Sequence, residues 1–259
     1  MSTFLFDQLV FGPVHSRRLG ISLGINLLPI ESKYCNFNCI YCECGWNADK
    51  RPAGIHLPKR QDVYSALEKK LTEMQSSGEL PDAITFAGNG EPTIHPDFPE
   101  IIDDTISLRN RYAPESKISV LTNATMLHRN RIVEALKKTD MPILKLDSAI
   151  ESTIQLLNQP AGKISIKKLI DQLKSFEGAC VIQTMFVHGM YEGKKVDNTT
   201  QEELDAWEKT ILEIKPRQLM IYTIARDTPA QSLQKVSEQT LKDIALRMEK
   251  QGIPVHVST

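Results

Sequence analysis

The chain has 259 residues, with 31 Lys and Arg against 32 Asp and Glu, and 41% of it is hydrophobic. That length is enough to bury a large core in one barrel-sized domain or two small ones, and a net charge of −1 excludes the global basic field of many nucleic-acid binders while leaving room for a local patch. The opening apolar run in MSTFLFDQLVFGPVHSRRLG is too short and broken for a secretory signal, and no later segment has the unbroken apolar length of a membrane span. A cytoplasmic protein with no membrane partner is expected.

In chain order, short β-branched runs alternate with helical patterns, which predicts βα units and a parallel sheet. ISLGINLL from Ile21 is the first strand, and the long loop Glu43 to Leu57 follows it after a cysteine-rich segment. Val63, Leu67, Leu71 and Met74 lie on one face of a helix that begins just after Pro58. AITFAG from Ala83, KISVLTN from Lys117, PILKLD from Pro142 and ACVIQTMFV from Ala179 read as the next strands. Thr200 with Glu203 forms a capping-box pattern ahead of a stripe of Leu204, Trp207, Ile211 and Ile214, and RQLMIYTIA from Arg217 is the sixth strand. Ser237 opens a last helix that Gly252 closes, and IPVHV from Ile253 adds a short seventh strand.

Six βα units are too few for a closed eight-stranded barrel. The expected fold is α/β with an open, partial (β/α)6 TIM-type barrel, and a doubly wound sheet is the alternative. There is no internal repeat or compositional break, so one domain is expected over 1–259, with a core at about 20–226 and a C-terminal helix and short strand at about 236–257.

The segment KYCNFNCIYCEC places Cys35, Cys39, Cys42 and Cys44 within ten residues, just past the first strand, at the end where parallel sheets carry their chemistry. The fifth cysteine is Cys180, and an odd count in a reducing compartment favours metal ligands or reactive thiols over disulfides. A structural zinc site is one reading, but such sites are usually built from two separated cysteine pairs, and Cys42 and Cys44 are too close to ligate one ion without strain. An iron–sulfur cluster suits a single loop better, because its irons meet successive thiolates at separate corners.

The pattern CxxxCxxC with an aromatic residue, Tyr41, before the last cysteine resembles the radical S-adenosylmethionine (SAM) superfamily. GNGEPT after the second strand, LTNAT after the third, KLDS at the end of the fourth and IYTIAR at the end of the sixth extend the resemblance over nearly the whole chain. More narrowly, FGPVHSRRLGISLGINLLP and KLDS are similar to the branch that includes the wyosine-type tRNA-modifying enzymes.

The resemblance implies a [4Fe–4S] cluster held by Cys35, Cys39 and Cys42, with one iron left for the amine and carboxylate of SAM. It also implies reductive cleavage of SAM to a 5′-deoxyadenosyl radical that takes hydrogen from a substrate. A one-electron donor such as a flavodoxin or ferredoxin is expected. The substrate is an RNA base, a protein or peptide, or a small molecule, and the residue that acts on it is not identified. A radical activase acting on a partner protein and a non-catalytic zinc module are the alternative functions.

The candidate SAM contacts are Tyr41 against the adenine, Gly88 and Gly90 for close backbone approach, and Glu91 for the ammonium. Thr122 and Asn123 are candidates for the carboxylate or ribose, and Gln183 and Arg226 stand at strand ends. Lys145 and Asp147 alternate along one strand and face the same side, as a ligand pair or a buried ion pair. Cys44 is expected to pack beneath the loop or line the site. In HSRRLG, adjacent arginines are either solvated or a phosphate contact.

Overall fold

The structure, a computed structural model, describes residues 4–16, 19–48 and 56–259. It begins with an antiparallel pair, β1 (Val10–Ser16) and β2 (Gly20–Ile25). Helices and strands then alternate through α1 (Arg60–Ser77), β3 (Ala83–Phe86), α2 (Phe98–Tyr112), β4 (Lys117–Thr122), α3 (Asn130–Lys137) and β5 (Met141–Lys145). Two helices, α4 (Glu151–Asn158) and α5 (Ile166–Lys174), lead to β6 (Val181–Met185), followed by β7 (Val187–Tyr191), β8 (Lys194–Asp197) and α6 (Gln201–Ile214). The chain ends with β9 (Gln218–Tyr222), β10 (Leu233–Lys235), α7 (Glu238–Glu249) and β11 (Val255–Ser258).

Among the described residues, eight strands form one sheet in the order β1-β2-β3-β4-β5-β6-β9-β11, and every neighbouring pair from β2 onward is parallel. The order never reverses, so the sheet has no switch point of the doubly wound kind and curls one way into an open half-barrel. Six crossovers from β2 to β11 each carry helix, which is the expected (β/α)6 frame, and β11 is the expected seventh strand. β11 joins that sheet directly, pairing Val255 with Leu219 and Ser258 with Tyr222.

Strand periodicity divides the sheet into two faces. Leu23, Ile25, Ile84, Phe86, Ile118, Val120, Leu144, Ile182, Leu219 and Ile221 point outward into the main core, where the stripes of α1 and α6 meet them. Val63, Leu67, Leu71 and Met74 of α1 are all buried, and Gly78 ends that helix in the left-handed region. The inner face is sparser: Ile143, Val181 and Met220 form a small cluster with Leu121. That difference leaves room on the concave side, toward the C-terminal strand ends.

Local signals are met at two helix starts, where Thr200 accepts from the Glu203 N–H and Ser237 accepts from the Thr240 N–H. The Thr200 pattern is half a capping box, because the Glu203 carboxylate turns instead to the hydroxyls of Ser148 and Thr153. Helix α7 stops at Glu249, ahead of Gly252, whose N–H still bonds the Glu249 carbonyl at 2.9 Å. The run from Ala179 to Val187 divides at Phe186, which is fully buried edge-on against Trp207, and its far side begins a three-stranded antiparallel sheet, β10-β7-β8. Neither that sheet nor β1 was indicated by periodicity.

Candidate active site

The cysteine loop leaves the C-terminal end of β2 and is fastened by its own backbone on two sides. Tyr34 pairs with Gly90, its N–H donating to the Asn89 carbonyl at 2.7 Å while its carbonyl accepts from the Glu91 N–H at 3.2 Å. On the other side, Asn38 and Ile40 donate to the carbonyls of Asn158 and Leu157 at the end of α4, at 2.9 and 3.0 Å. Cys39, Ile40 and Tyr41 are buried in an apolar cluster with Phe37, Leu157 and Met185. The Cys35, Cys39 and Cys42 side chains are thereby carried to one cavity of about 260 Å³.

Each of these sulfurs meets donors or positive charge. Cys35 Sγ accepts from the Phe37 N–H at 3.4 Å and from Asn123 Nδ2 at 3.6 Å. Cys39 Sγ accepts from Asn158 Nδ2 at 3.4 Å. The Cys42 thiol is lowered to about 5, first by the hydrogen bond from Cys44 and then by the charge of Lys33, against the effect of burial. Burial pushes the Cys35 and Cys39 thiols above their ordinary range. Cys44 is pushed up as the donor toward Cys42, and its Sγ also lies 3.5 Å from the Gly88 carbonyl.

Among the described residues, no group of three or more His, Cys, Asp and Glu side chains converges as a single metal ion requires. A cubane makes a different demand, one thiolate per iron at separate corners, and is stabilised by N–H groups aimed at its sulfurs. Three cysteines on one loop around a shared cavity, with donors placed at Cys35 and Cys39 and a cation beside Cys42, fit that group.

Tyr41, Gly88, Gly90, Glu91, Thr122, Asn123, Lys145, Gln183 and Arg226 line the same cavity, which brings every expected SAM contact together except Asp147. Glu91 is 2% exposed and terminates the turn after β3. Its Oε1 accepts from Thr93 N at 3.1 Å, Thr93 Oγ1 at 2.5 Å and Thr122 Oγ1 at 2.6 Å, while Oε2 accepts from the Asn123 N–H at 2.6 Å. Burial raises the Glu91 carboxyl above its usual range, and these four donors pull it back only in part. Oε2 retains lone-pair capacity for a further donor.

Asp147 lies behind the cavity wall. It accepts from the Tyr41 hydroxyl, from Asn158 Nδ2 at 2.7 Å and from the Met185 N–H at 2.9 Å, and it pairs with Lys145 at 3.5 Å. Burial opposes the Lys145 charge, but Asp147 and the Tyr222 hydroxyl outweigh it and hold the ammonium above its ordinary range. Of the two expected roles for Asp147, the geometry is that of the buried ion pair.

Gln183 is 5% exposed and lines the cavity from β6. Arg226 stands at the rim, bonded to Glu43 at 2.7 Å with its guanidinium 5.6 Å from the Phe4 ring centre. The adjacent arginines of HSRRLG and most of the loop after Ala48 lie outside the described residues.

Sequence reasoning passed over Lys33 and Asn158. Asn158 reaches Cys39, Tyr41 and Asp147 from the last residue of α4, and nothing in its local sequence marks it. Lys33 had a signal available, a lone lysine two residues ahead of Cys35.

The model of a family described as the Radical SAM superfamily matches residues 32–194. A protein named GTPase Obg from Brachyspira hyodysenteriae is 27% identical over 242 residues, which is 92% of this chain and 33% of that one. UPF0026 protein MJ1312 from Methanocaldococcus jannaschii is 26% identical over 84% of this chain and 64% of its own length. This chain therefore spans from a third to just under two thirds of these relatives. Among solved structures, Streptococcus suis SuiB bound to S-adenosylmethionine aligns with a TM-score of 0.65 at 16% identity, over 91% of this chain and 50% of that one. TYW1 with a lysine-pyruvate adduct bound aligns with a TM-score of 0.58 at 12% identity, over 88% of this chain and 73% of that one. At these identities the structural likeness is one of fold.

Proposed function

The chain belongs to the radical SAM superfamily, whose members bind a [4Fe–4S] cluster and SAM, and from that premise we propose that Cys35, Cys39 and Cys42 hold the cluster while Glu91 holds the SAM ammonium. When bound, the two cofactors supply a 5′-deoxyadenosyl radical, released with methionine on one-electron reduction, that takes hydrogen from a substrate. What carries the reading is the convergence of three cysteine sulfurs and the buried Glu91 carboxylate on one cavity.

The remaining roles follow from position. The main chain at Gly88 and Gly90 allows close approach, since a side chain at Gly88 would strike Asn26 and one at Gly90 would strike Tyr34. Thr122 and Asn123 orient the Glu91 carboxylate and the Cys35 sulfur from the end of β4. Tyr41 presents its ring to the cavity while Asp147 and Asn158 fix its hydroxyl. Lys145, Gln183 and Arg226 supply the polar groups of the far wall. The apolar cluster behind the loop keeps water from the cluster side.

For the substrate we favour a base in RNA. The segment FGPVHSRRLGISLGINLLP and KLDS support that reading through their similarity to the wyosine-type branch, and a flavodoxin or ferredoxin is the electron donor proposed with it.

The test is anaerobic reconstitution with iron and sulfide followed by dithionite and SAM, with methionine and 5′-deoxyadenosine as the expected products. A fully loaded cluster that yields neither product overturns the enzymatic reading, and zinc without acid-labile sulfide in the isolated protein points to the metal-binding module. The RNA reading is tested with bulk tRNA. Binding is expected at low salt and should weaken as salt rises, whereas no binding at low salt shifts the substrate to a peptide or a small molecule.

A further inference from the structure

Lys33 is a buried cation with no carboxylate partner among the described residues. It is 6% exposed, and its Nζ donates to the Gly45 carbonyl at 2.9 Å. Among the described residues no Asp or Glu pairs with it, whereas the other cations of the cavity are matched, Lys145 with Asp147 and Arg226 with Glu43. An ammonium withdrawn from water with one neutral acceptor is costly unless an anion stands nearby.

Lys33 shares its cavity with cysteine sulfurs, while the two carboxylates there are bonded elsewhere, Glu43 to Arg226 and Glu91 to Thr93, Thr122 and Asn123. Lys33 lines the cavity together with Cys35 and Cys42. The bond to Gly45 fixes it against the strand of loop that carries Cys42, because the Gly45 N–H in turn donates to the Cys42 carbonyl at 2.9 Å. The ammonium is therefore held at the cluster side of the site by the loop that supplies the ligands.

A cubane on three thiolates is an anion, and its reduction potential follows the charge and hydrogen bonding around its sulfurs. We propose that Lys33 is the resident counter-charge of the iron–sulfur cluster, a positioning residue that raises its reduction potential and so eases entry of the electron that starts the reaction. The inference rests on the cluster assignment made above.

The experiment is a redox titration of anaerobically reconstituted protein, followed by its electron paramagnetic resonance signal, alongside iron and sulfide counts and SAM affinity. Lys33→Met removes the charge, Lys33→Gln removes it while keeping a donor for the Gly45 carbonyl, and Lys33→Arg retains it. Lys33→Met and Lys33→Gln should titrate at a more negative potential than the wild type. At the wild-type midpoint their ratio of reduced to oxidised cluster should fall by about tenfold or more, the scale of one unit charge within roughly 10 Å at the effective dielectric of a protein interior. Lys33→Arg should stay near the wild type, and SAM affinity should be unchanged throughout.

Equal potentials in all four proteins overturn the proposal. So does an unchanged potential with weakened SAM affinity, which makes Lys33 a ligand of the SAM carboxylate instead. If Lys33→Met does not assemble a cluster, Lys33→Gln decides between these outcomes. Failure of the wild type itself to assemble a cluster is a different result, since it removes the assignment on which the inference stands.

Discussion

The main chains of Tyr34 and Gly90 pair side by side, so closely that a Cβ on Gly90 would stand 2.0 Å from the Tyr34 carbonyl oxygen. The cysteine loop and the glycine-rich turn are thus positioned by each other. Gly90 also has φ +142, a conformation that side chains resist. Gly90→Ala should lower the unfolding free energy by about 2–4 kcal/mol and reduce iron per chain after reconstitution. Urea unfolding and iron analysis check both, and wild-type values in each would show that the bridge does not set the loop.

Three cysteines should behave alike and the fourth differently. Cys35→Ala, Cys39→Ala and Cys42→Ala should each abolish the [4Fe–4S] absorption and SAM cleavage, because a cubane lacking one of three protein ligands is not retained. Cys44→Ala should keep both, since Cys44 acts as a donor toward Cys42 and the Gly88 carbonyl. Loss of the cluster in Cys44→Ala, with iron retained in any of the other three, would reverse the ligand assignment.

Glu91 has two duties that a single alanine cannot separate. Glu91→Ala strands the Thr93, Thr122 and Asn123 donors and should destabilise the fold by about 2–4 kcal/mol. Glu91→Gln keeps an acceptor oxygen and removes the negative charge, so SAM affinity should fall about tenfold or more with iron content intact. Isothermal titration against iron analysis distinguishes the cases, and parallel loss of iron and SAM binding in Glu91→Gln would make Glu91 purely structural.

Cluster-free protein should reveal its thiols in a fixed order. The Cys42 thiol, lowered to about 5, is ionised throughout the neutral range, so its alkylation by iodoacetamide should rise through that pH and be flat by pH 7. Cys180 is fully buried and pushed up to about 12, so it should stay unmodified until the chain unfolds. Peptide mass spectrometry after timed quenching reads the order. A Cys42 rate that climbs only near pH 8–9, the range of an ordinary thiol, would contradict it.

The frame was legible because it rests on local pattern. The predicted strands at Ile21, Ala83, Lys117, Pro142, Ala179, Arg217 and Ile253 each overlap a strand of the main sheet, and α1 buries the four residues of its predicted stripe. What periodicity missed has a common cause. β1 and the β7, β8 and β10 sheet are only partly buried, and their residues carry no clean alternation. The cavity residues Glu91 and Tyr41 were found by motif, and Lys145 with Asp147 by alternation, yet the partners of Tyr41 were not. Asn158 meets Tyr41 across 117 positions, and the Asp147–Tyr41 bond spans 106, separations at which only the fold decides who meets whom. Glu203 makes the same point, a local cap pattern outbid by two hydroxyls some fifty residues away.

Among the described residues the sheet ends on β1 at one edge and β11 at the other, and the two do not pair. A closed barrel admits only what passes through its mouth. A half-barrel is also open along its side, a shape that can receive one group of a large molecule without enclosing the rest of it.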